Sequence, residues 1–112
     1  MGRSKTIIGA SEFKKALKKN ATLNDLKDVV RMNGAELTHE TEVNAPVDTA
    51  TLERSITQTI RDNGLTSVTE PHTEYDGYVE FGTRFMKAQP YIGPAFRQQV
   101  KKYKSDMQRL VK

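Results

Sequence analysis

The sequence contains no cysteine and no tryptophan, and aromatic residues make up only 7% of its 112 positions. Without cysteine the chain has no disulfide, no thiolate metal site and no cysteine nucleophile. No apolar run approaches the ~18 residues that a membrane-spanning helix requires. We expect synthesis in the cytosol, no membrane association, a flexible lead-in at residues 1–9 in which Thr6–Ile8 could form a short edge strand, and a single domain over 10–112.

Charge is distributed unevenly along the chain, although the formal net charge is only +4. Residues 1–34 carry eight Lys and Arg against three Asp and Glu, residues 35–83 carry two against ten, and residues 84–112 carry eight against one. The basic ends can neutralise phosphates, or they can face the acidic middle of a neighbouring copy and steer self-assembly. Solvated helix faces are the third interpretation, and the pattern leaves all three open.

Candidate catalytic and metal-binding residues are few and scattered. The two histidines, His39 and His72, lack the spacing of a zinc site, and Ser55 has no neighbouring base to activate it. The acidic residues of the middle segment follow no calcium-loop pattern, and no glycine-rich loop precedes a lysine in the way that phosphate binding requires. We therefore expect no catalytic activity, no cofactor and no metal site.

Helical periodicity marks the first part of the chain. Ser11 is the predicted N-cap of a short helix with one apolar stripe. A longer helix is predicted to start near Thr22 or Asn24 and to end near Val43. Gly34 interrupts this helix, where it either allows close packing or marks a bend.

Residues 55–70 predict a β-hairpin, because two segments rich in strand-forming residues flank Asn63-Gly64. That dipeptide readily adopts the positive φ angles of a type I′ turn. Before the hairpin, residues 47–53 predict a turn followed by a single helical turn. After it, residues 75–81 predict a short helix ended by Gly82, with a third strand over residues 77–81 as the competing prediction.

An amphipathic helix of about 17 residues is predicted at the C-terminal end, with Pro94 as its first residue. Its apolar stripe consists of Phe96, Val100, Tyr103, Met107 and Leu110. The cations of its polar face, which we expect to meet either DNA or a neighbouring subunit, include Arg97, Lys101, Lys102, Lys104 and Arg109.

Two segments resemble signatures of a family of phage tail-completion proteins, also called head-tail joining or minor tail proteins. The stretch APVDTATLERSI at 45–56 is similar to APVDTGxLxxSI. The stretch YDGYVEFGT at 75–83, followed by AQPY and PAF, is similar to YAxYVEFGT…AQPFxxPA. The resemblance covers about residues 10–110, and its motif residues here are Pro46, Asp48, Thr49, Leu52, Ser55, Tyr75, Tyr78, Glu80, Phe81, Gly82, Thr83, Gln89, Pro90 and Pro94.

The resemblance implies a small α+β protein in which a hairpin-based antiparallel sheet packs against a long helix and an amphipathic C-terminal helix. It implies a structural protein of the virion neck that forms a ring, typically hexameric, between the head connector and the tail tube. Its partners would be head-closure or connector proteins and tail-tube or tail-terminator proteins, with DNA passing through the lumen and assembly taking place in the host cytoplasm. The alternative function is sequence-nonspecific nucleic-acid binding through the basic terminal helices.

The motif residues themselves are interpreted as maintaining the fold or contacting other subunits. Asp48 or Thr49 is expected to cap the single helical turn, and Leu52 and Ile56 are expected to point into the core. We expect an aromatic cluster around Gly82 and Pro90, formed by Tyr75, Tyr78, Phe81 and Tyr91. Because burying an unpaired charge is costly, we expect Glu80 to pair with a cation such as Arg54 or Arg84, inside the subunit or across the ring.

Overall fold

A computed structural model of the chain describes residues 5–45, 50–73, 76–82 and 87–111. In these ranges the helices are α1 (Leu23–Asn44), α2 (Ala50–Ser55), α3 (Asp76–Phe81) and α4 (Ile92–Gln108), and the strands are β1 (Thr6–Gly9), β2 (Thr57–Arg61) and β3 (Thr66–Glu70). The predicted α+β architecture, with a hairpin-based sheet, a long helix and a C-terminal helix, is confirmed. Residues 76–81 form the predicted short helix and not the competing third strand.

The sheet is antiparallel with the strand order β1-β3-β2. The hairpin supplies β2 and β3, and β1 pairs with the other side of β3, with Ile8 opposite Ser67. Thr6–Gly9 is thus a short edge strand of the kind that the sequence allowed at this position, and its residues Thr6 and Ile8 are buried. The division into a lead-in and one domain otherwise stays a prediction.

The hairpin turn confirms the role predicted for Asn63-Gly64. Asn63 has φ 56° and ψ 34°, and Gly64 has φ 95°. The turn closes through a hydrogen bond of 3.1 Å that the Leu65 amide donates to the Asp62 carbonyl oxygen. Asp62 is also left-handed, with φ 54°, and its carboxylate accepts a hydrogen bond of 2.6 Å from the Thr66 hydroxyl.

Helix α1 begins with a capping box, in which the Thr22 hydroxyl accepts from the Asp25 amide and the Asp25 carboxylate accepts from the Thr22 amide. This arrangement satisfies backbone donors that the first turn leaves free. Its buried face carries Leu26, Val30, Asn33, Gly34, Leu37 and Thr41. The helix therefore starts and ends close to the predicted bounds.

Gly34 allows close packing, which resolves the alternatives that the sequence left open. A Cβ at this position would overlap the Ser67 hydroxyl of β3, and it would lie 2.6 Å from Gln58 Nε2 and 2.7 Å from Ser67 Cβ. Real Cβ atoms do not approach other heavy atoms so closely. The glycine therefore lets α1 lie directly on the sheet.

Helices α1 and α4 pack side by side in opposite directions. Val30, in the first half of α1, shares an apolar cluster with Met107 near the end of α4. Leu37, further along α1, shares a second cluster with Ala95 in the first half of α4. Ile8 of β1 belongs to this second cluster, and Leu65, just before β3, belongs to the first.

The N-terminal helix differs from the prediction in type and in cap. Ser11–Ala16 is a 3₁₀ helix, and Ala10 rather than Ser11 occupies the position before it, without a side-chain cap. Phe13 and Leu17 nevertheless pack against the core beside Leu110, as their spacing indicated. The short segment is held by this packing and by an isolated bridge between Leu17 and Val111 rather than by a cap.

Candidate assembly surface

The motif residue Glu80 caps the start of α4. Its Oε1 accepts hydrogen bonds of 2.8 Å from the Tyr91 and Ile92 amides, and its Oε2 accepts one of 2.9 Å from the Gly93 amide. The side chain is only 7% exposed, so these bonds form away from bulk water. A carboxylate at a helix N-terminus is favoured both by the free amides and by the positive end of the helix dipole.

The residues around the cap suit this arrangement. Helix α4 begins at Ile92, two residues before the predicted start, so Pro94 occupies the third helical position. Of the four amides that a helix start leaves without a partner, three bind Glu80, and the fourth position is Pro94, which has no N–H. Gly93 is tightly enclosed as well, since a Cβ there would lie 3.0 Å from Glu80 Oε2.

The two motif segments meet in a small apolar cluster, which we call the motif lobe: Ala45, Ile56, Val79, Tyr91 and Ile92. Tyr91 is completely buried, and the other four residues are each 6% exposed. Ile56 thus lies in the core as predicted. The lobe joins the ends or flanks of all four helices, since Ala45 follows α1 and Ile56 follows α2.

Hydrogen bonds reinforce the lobe. The Gln89 amide donates to the Val79 carbonyl oxygen at 2.8 Å, which ties the segment before α4 to α3. The Ser55 hydroxyl accepts from the His72 amide at 3.1 Å, which ties the end of α2 to the segment after β3. The Ser55 hydroxyl thus helps to hold these two segments together. The motif residues Gln89 and Pro90 are exposed.

Phe81, the last residue of α3, has 67% of its surface exposed. Since Tyr75 and the side chain of Tyr78 lie outside the described residues, the predicted aromatic cluster stays a prediction. Val79 and Glu80 occupy the inward side of the short helix, and Gly82, with φ 78°, ends it in the left-handed conformation predicted. Val43, near the end of α1, is another strongly exposed apolar residue, at 62%.

Several predicted motif residues lie outside the described ranges. These are Pro46, Asp48, Thr49, Tyr75 and Thr83, together with the side chains of Leu52 and Tyr78. Their predicted roles, including the cap of α2 and the remainder of the aromatic cluster, stay predictions.

The expected ion pair of Glu80 with Arg54 is not formed inside the subunit, and the alternative of a pair across a ring stays a prediction. Arg54 is exposed, and within the described residues Glu80 makes no salt bridge. The inference that its charge needs compensation was sound, but backbone amides supply that compensation instead of a cation. Arg84, the other cation considered, lies outside the described ranges.

The polar face of α4 divides into two sets of cations. Lys102 Nζ lies 2.7 Å from Glu36 Oε1 and 3.6 Å from Asp106 Oδ2, and Arg109 Nη1 lies 3.9 Å from Asp106 Oδ1. The hydrogen bond between Glu36 and Lys102 lowers the pKa of the carboxyl group and raises the pKa of the amine. The exposed cations Arg97, Lys101 and Lys104 form no ion pair with a described residue.

A polar network between α1 and α4, which the sequence did not reveal, lies behind that ion pair. The fully buried Asn33 donates to Asp106 Oδ2 at 3.0 Å and accepts from Gln99 Nε2 at 2.6 Å. Gln99 Nε2 also donates to Glu36 Oε2 at 3.0 Å. The available signal was the position of Asn33 within the apolar stripe of α1, between Val30 and Leu37.

The described part of the chain contains no group of three or more His, Cys, Asp or Glu side chains that could hold a metal ion. His39 and His72 are both exposed. No described helix is long and apolar enough to cross a membrane.

A model of the HK97-gp10-like protein family, described as "Bacteriophage HK97-gp10, putative tail-component", matches residues 9–82, about two thirds of the chain. The matched range contains the first motif segment and the second as far as Gly82. No curated protein and no solved structure matches the chain significantly.

Proposed function

The chain belongs to the HK97-gp10-like family of phage tail components, and on that premise we propose that it is a ring-forming structural protein of the virion neck. It would complete the tail by joining the head connector to the tail tube. Its partners would be further copies of itself, a head-closure or connector protein, and a tail-tube or tail-terminator protein. Its role would be architectural, without a catalytic step.

The exposed side chain of Phe81 is the observation that carries this proposal. A phenyl ring at 67% exposure leaves much apolar surface in water, whereas burying an aromatic side chain of 150–250 Å² is worth roughly several kcal/mol. The backbone that carries this phenyl ring is held in place, because Val79 of the motif lobe and its neighbour Glu80, on the same short helix, are buried. Rigid exposed aromatic residues are typical anchors of protein interfaces.

An anchor of this kind suits a ring. Phe81 would insert into a different surface of the next subunit, which makes the interface heterologous. Heterologous contacts generate a closed ring when the rotation between neighbours closes, as a neck protein requires. The buried motif residues would then hold Phe81 in position, and Phe81 itself would make the contact.

The experiment compares Phe81→Ser with a matched variant, Met32→Ser, by native mass spectrometry and by electron microscopy of virions. Met32 lies on α1 outside the motif lobe and is 52% exposed, so its replacement removes a comparable exposed apolar side chain. We expect Phe81→Ser to abolish the oligomer and Met32→Ser to retain it, while both variants unfold at the temperature of the unsubstituted protein.

In a phage lacking the gene, we expect unjoined heads and tails, rescued by the natural protein and by Met32→Ser but not by Phe81→Ser. Tails that still join heads without the gene would contradict the proposed function. Normal rings formed by Phe81→Ser would instead contradict only the role given to Phe81.

A further inference from the structure

Both basic ends of the chain meet at one end of the fold, which we call the basic end. The Lys18 amide donates to the Leu110 carbonyl oxygen at 2.7 Å, and Leu17 forms a bridge with Val111. Tyr103 of α4 packs with Phe13 against the same core cluster. The exposed cations of the 3₁₀ helix, the following loop and the last turns of α4 are Lys14, Lys15, Lys18, Lys19, Lys104 and Arg109.

A recess of about 490 Å³ lies within the basic end, and three of these cations line it: Lys18, Lys19 and Arg109. Its one acidic residue, Asp25, is engaged in capping α1, where it accepts from the Thr22 amide at 2.7 Å. Arg109 is held only loosely, because its contact with Asp106 is 3.9 Å long and its side chain is 77% exposed. The recess therefore presents weakly paired positive charge in a concave surface.

The acidic side chains that the structure describes are dispersed over the fold rather than gathered in one surface. Several described carboxylates already accept an internal hydrogen bond or ion pair: Asp25, Asp28, Glu36, Asp62, Glu80 and Asp106. The other described acids, Glu12, Glu40, Glu42, Glu53 and Glu70, are spread over four elements of the fold. A second copy of the chain thus supplies no concentrated negative face among its described residues.

We propose that the basic end binds the phosphate backbone of duplex DNA, with Lys18, Lys19 and Arg109 as its central contacts. Duplex DNA carries one negative charge per ~1.7 Å of its axis, a density that matches clustered lysines. The binding is independent of base sequence, since lysine contacts phosphates as a flexible point charge. Single strands are disfavoured, because Phe13 and Tyr103 pack against the core and offer no stacking platform.

The inference goes beyond the proposed function and does not depend on the ring. A single subunit offers only a few phosphate contacts, so its affinity is modest and salt-dependent. If the subunits form a ring, several basic ends act on one duplex, and the effective affinity rises through multivalency. Failure of the ring would leave the binding of DNA by the subunit intact.

The test measures binding of the full-length chain to a fluorescent duplex by anisotropy over a range of salt concentrations. The variant Lys18→Gln/Lys19→Gln is compared with Arg54→Gln/Lys87→Gln, which removes two exposed cations remote from the basic end in sequence and element. Both variants have the same net charge, since each loses two cations from +4. Circular dichroism and thermal melting verify that both remain folded.

We expect the first variant to bind the duplex roughly 10- to 100-fold more weakly at ~0.1 M salt, with the slope of log affinity against log salt reduced by about 2. The control should change affinity less than about threefold. Equal losses in the two variants would overturn the assignment, because net charge alone would then explain the binding. Absence of salt-sensitive binding by the unsubstituted chain would overturn it as well.

A competition with polyglutamate distinguishes DNA from an acidic protein surface. The proposal predicts that polyglutamate displaces the duplex only weakly at equal charge concentration. If polyglutamate binds as tightly as the duplex, and with the same dependence on Lys18 and Lys19, the partner is an acidic polypeptide and the assignment to DNA is wrong.

Discussion

Two regions of the protein bury polar groups and satisfy them in different ways. One is the polar network between α1 and α4, which we call the seam and which consists of Asn33, Glu36, Gln99, Lys102 and Asp106. The other is the start of α4 in the motif lobe. In the seam, side chains bind side chains, and Asn33, Gln99 and Glu36 each have more than one partner. In the lobe, one carboxylate serves three backbone amides. The seam is redundant, whereas the lobe depends on a single residue.

This difference indicates how each region responds to substitution. Removing one member of the seam leaves most of its partners with another hydrogen bond, so the loss is limited. Removing Glu80 takes the acceptor from three amides, two of which form buried hydrogen bonds, and unsatisfied buried donors are costly. The motif lobe should therefore be the more fragile of the two regions, although it is the smaller.

Replacement of Glu80 by alanine should have the largest effect, a loss of about 3 kcal/mol in the free energy of unfolding. The reason is that three amides lose their acceptor, at a cost of about 1–3 kcal/mol for each donor that water cannot reach. Glu80→Gln should lose less, because its amide oxygen still accepts. Urea denaturation followed by circular dichroism measures both values.

The control is Glu53→Ala, which removes an exposed carboxylate from α2. We expect it to change the free energy of unfolding by less than about 0.5 kcal/mol. If Glu80→Ala is no more destabilising than this control, the start of α4 does not depend on Glu80, and the contrast with the seam disappears.

Gly34→Ala tests the close approach between α1 and the sheet, with an expected loss of about 2 kcal/mol. Alanine gains roughly 1 kcal/mol in helix propensity, but its Cβ would lie 2.7 Å from Ser67 Cβ and force the helix away from β3. Gly9→Ala is the control, because its nearest contact would be an ordinary 3.6 Å. A stabilising effect of Gly34→Ala would mean that the helix shifts without cost.

Local signals in the sequence were sufficient for most of the fold. Asn63-Gly64 fixes the hairpin because its backbone preference acts within four residues. The apolar period of α4 marks residues that pack on the core, although Met107 alone among the predicted stripe is buried and the other four residues are partly buried. The start of α1 was predictable to within a residue because Thr22 and Asp25 satisfy each other three positions apart. Each of these features depends on neighbours in the sequence.

The features that escaped prediction depend on partners distant in the chain. The sequence indicates that the charge of Glu80 needs compensation, but the donors that Glu80 binds are backbone amides 11–13 residues away, which carry no side-chain signature. The packing role of Gly34 depends on Ser67, 33 residues later. The exposure of Phe81 escaped prediction because apolar spacing in a six-residue helix cannot separate an inward position from an exposed one.

Asn33→Ala probes the redundancy of the seam, and we expect a loss of about 1–2 kcal/mol in the free energy of unfolding. The substitution removes the hydrogen bonds to Asp106 and Gln99, but Gln99 keeps Glu36 and Asp106 keeps Lys102. A double-mutant cycle with Gln99→Ala should give a coupling energy of about 0.5–1 kcal/mol. A loss as large as that of Glu80→Ala would show that the seam is not redundant.

The smallest expected effect concerns Tyr103, whose hydroxyl donates to the Gly9 carbonyl oxygen at 2.6 Å and ties α4 to β1. Burial raises the pKa of Tyr103 to about 12, above the value near 10 of an unfolded chain. The folded state therefore favours the protonated form. Its contribution to stability is complete below about pH 10 and is lost as the pH rises through about 12.

Tyr103→Phe should cost about 1 kcal/mol at about pH 8, through loss of this hydrogen bond. The difference in unfolding free energy between the natural protein and the variant should shrink as the pH rises from about 10 to about 12, because only the natural protein loses the bond on ionisation. Other groups titrate equally in both proteins and cancel in the difference. Urea denaturation of both proteins across this range measures it, and a difference independent of pH would mean that the Tyr103 hydroxyl does not hold α4 to β1.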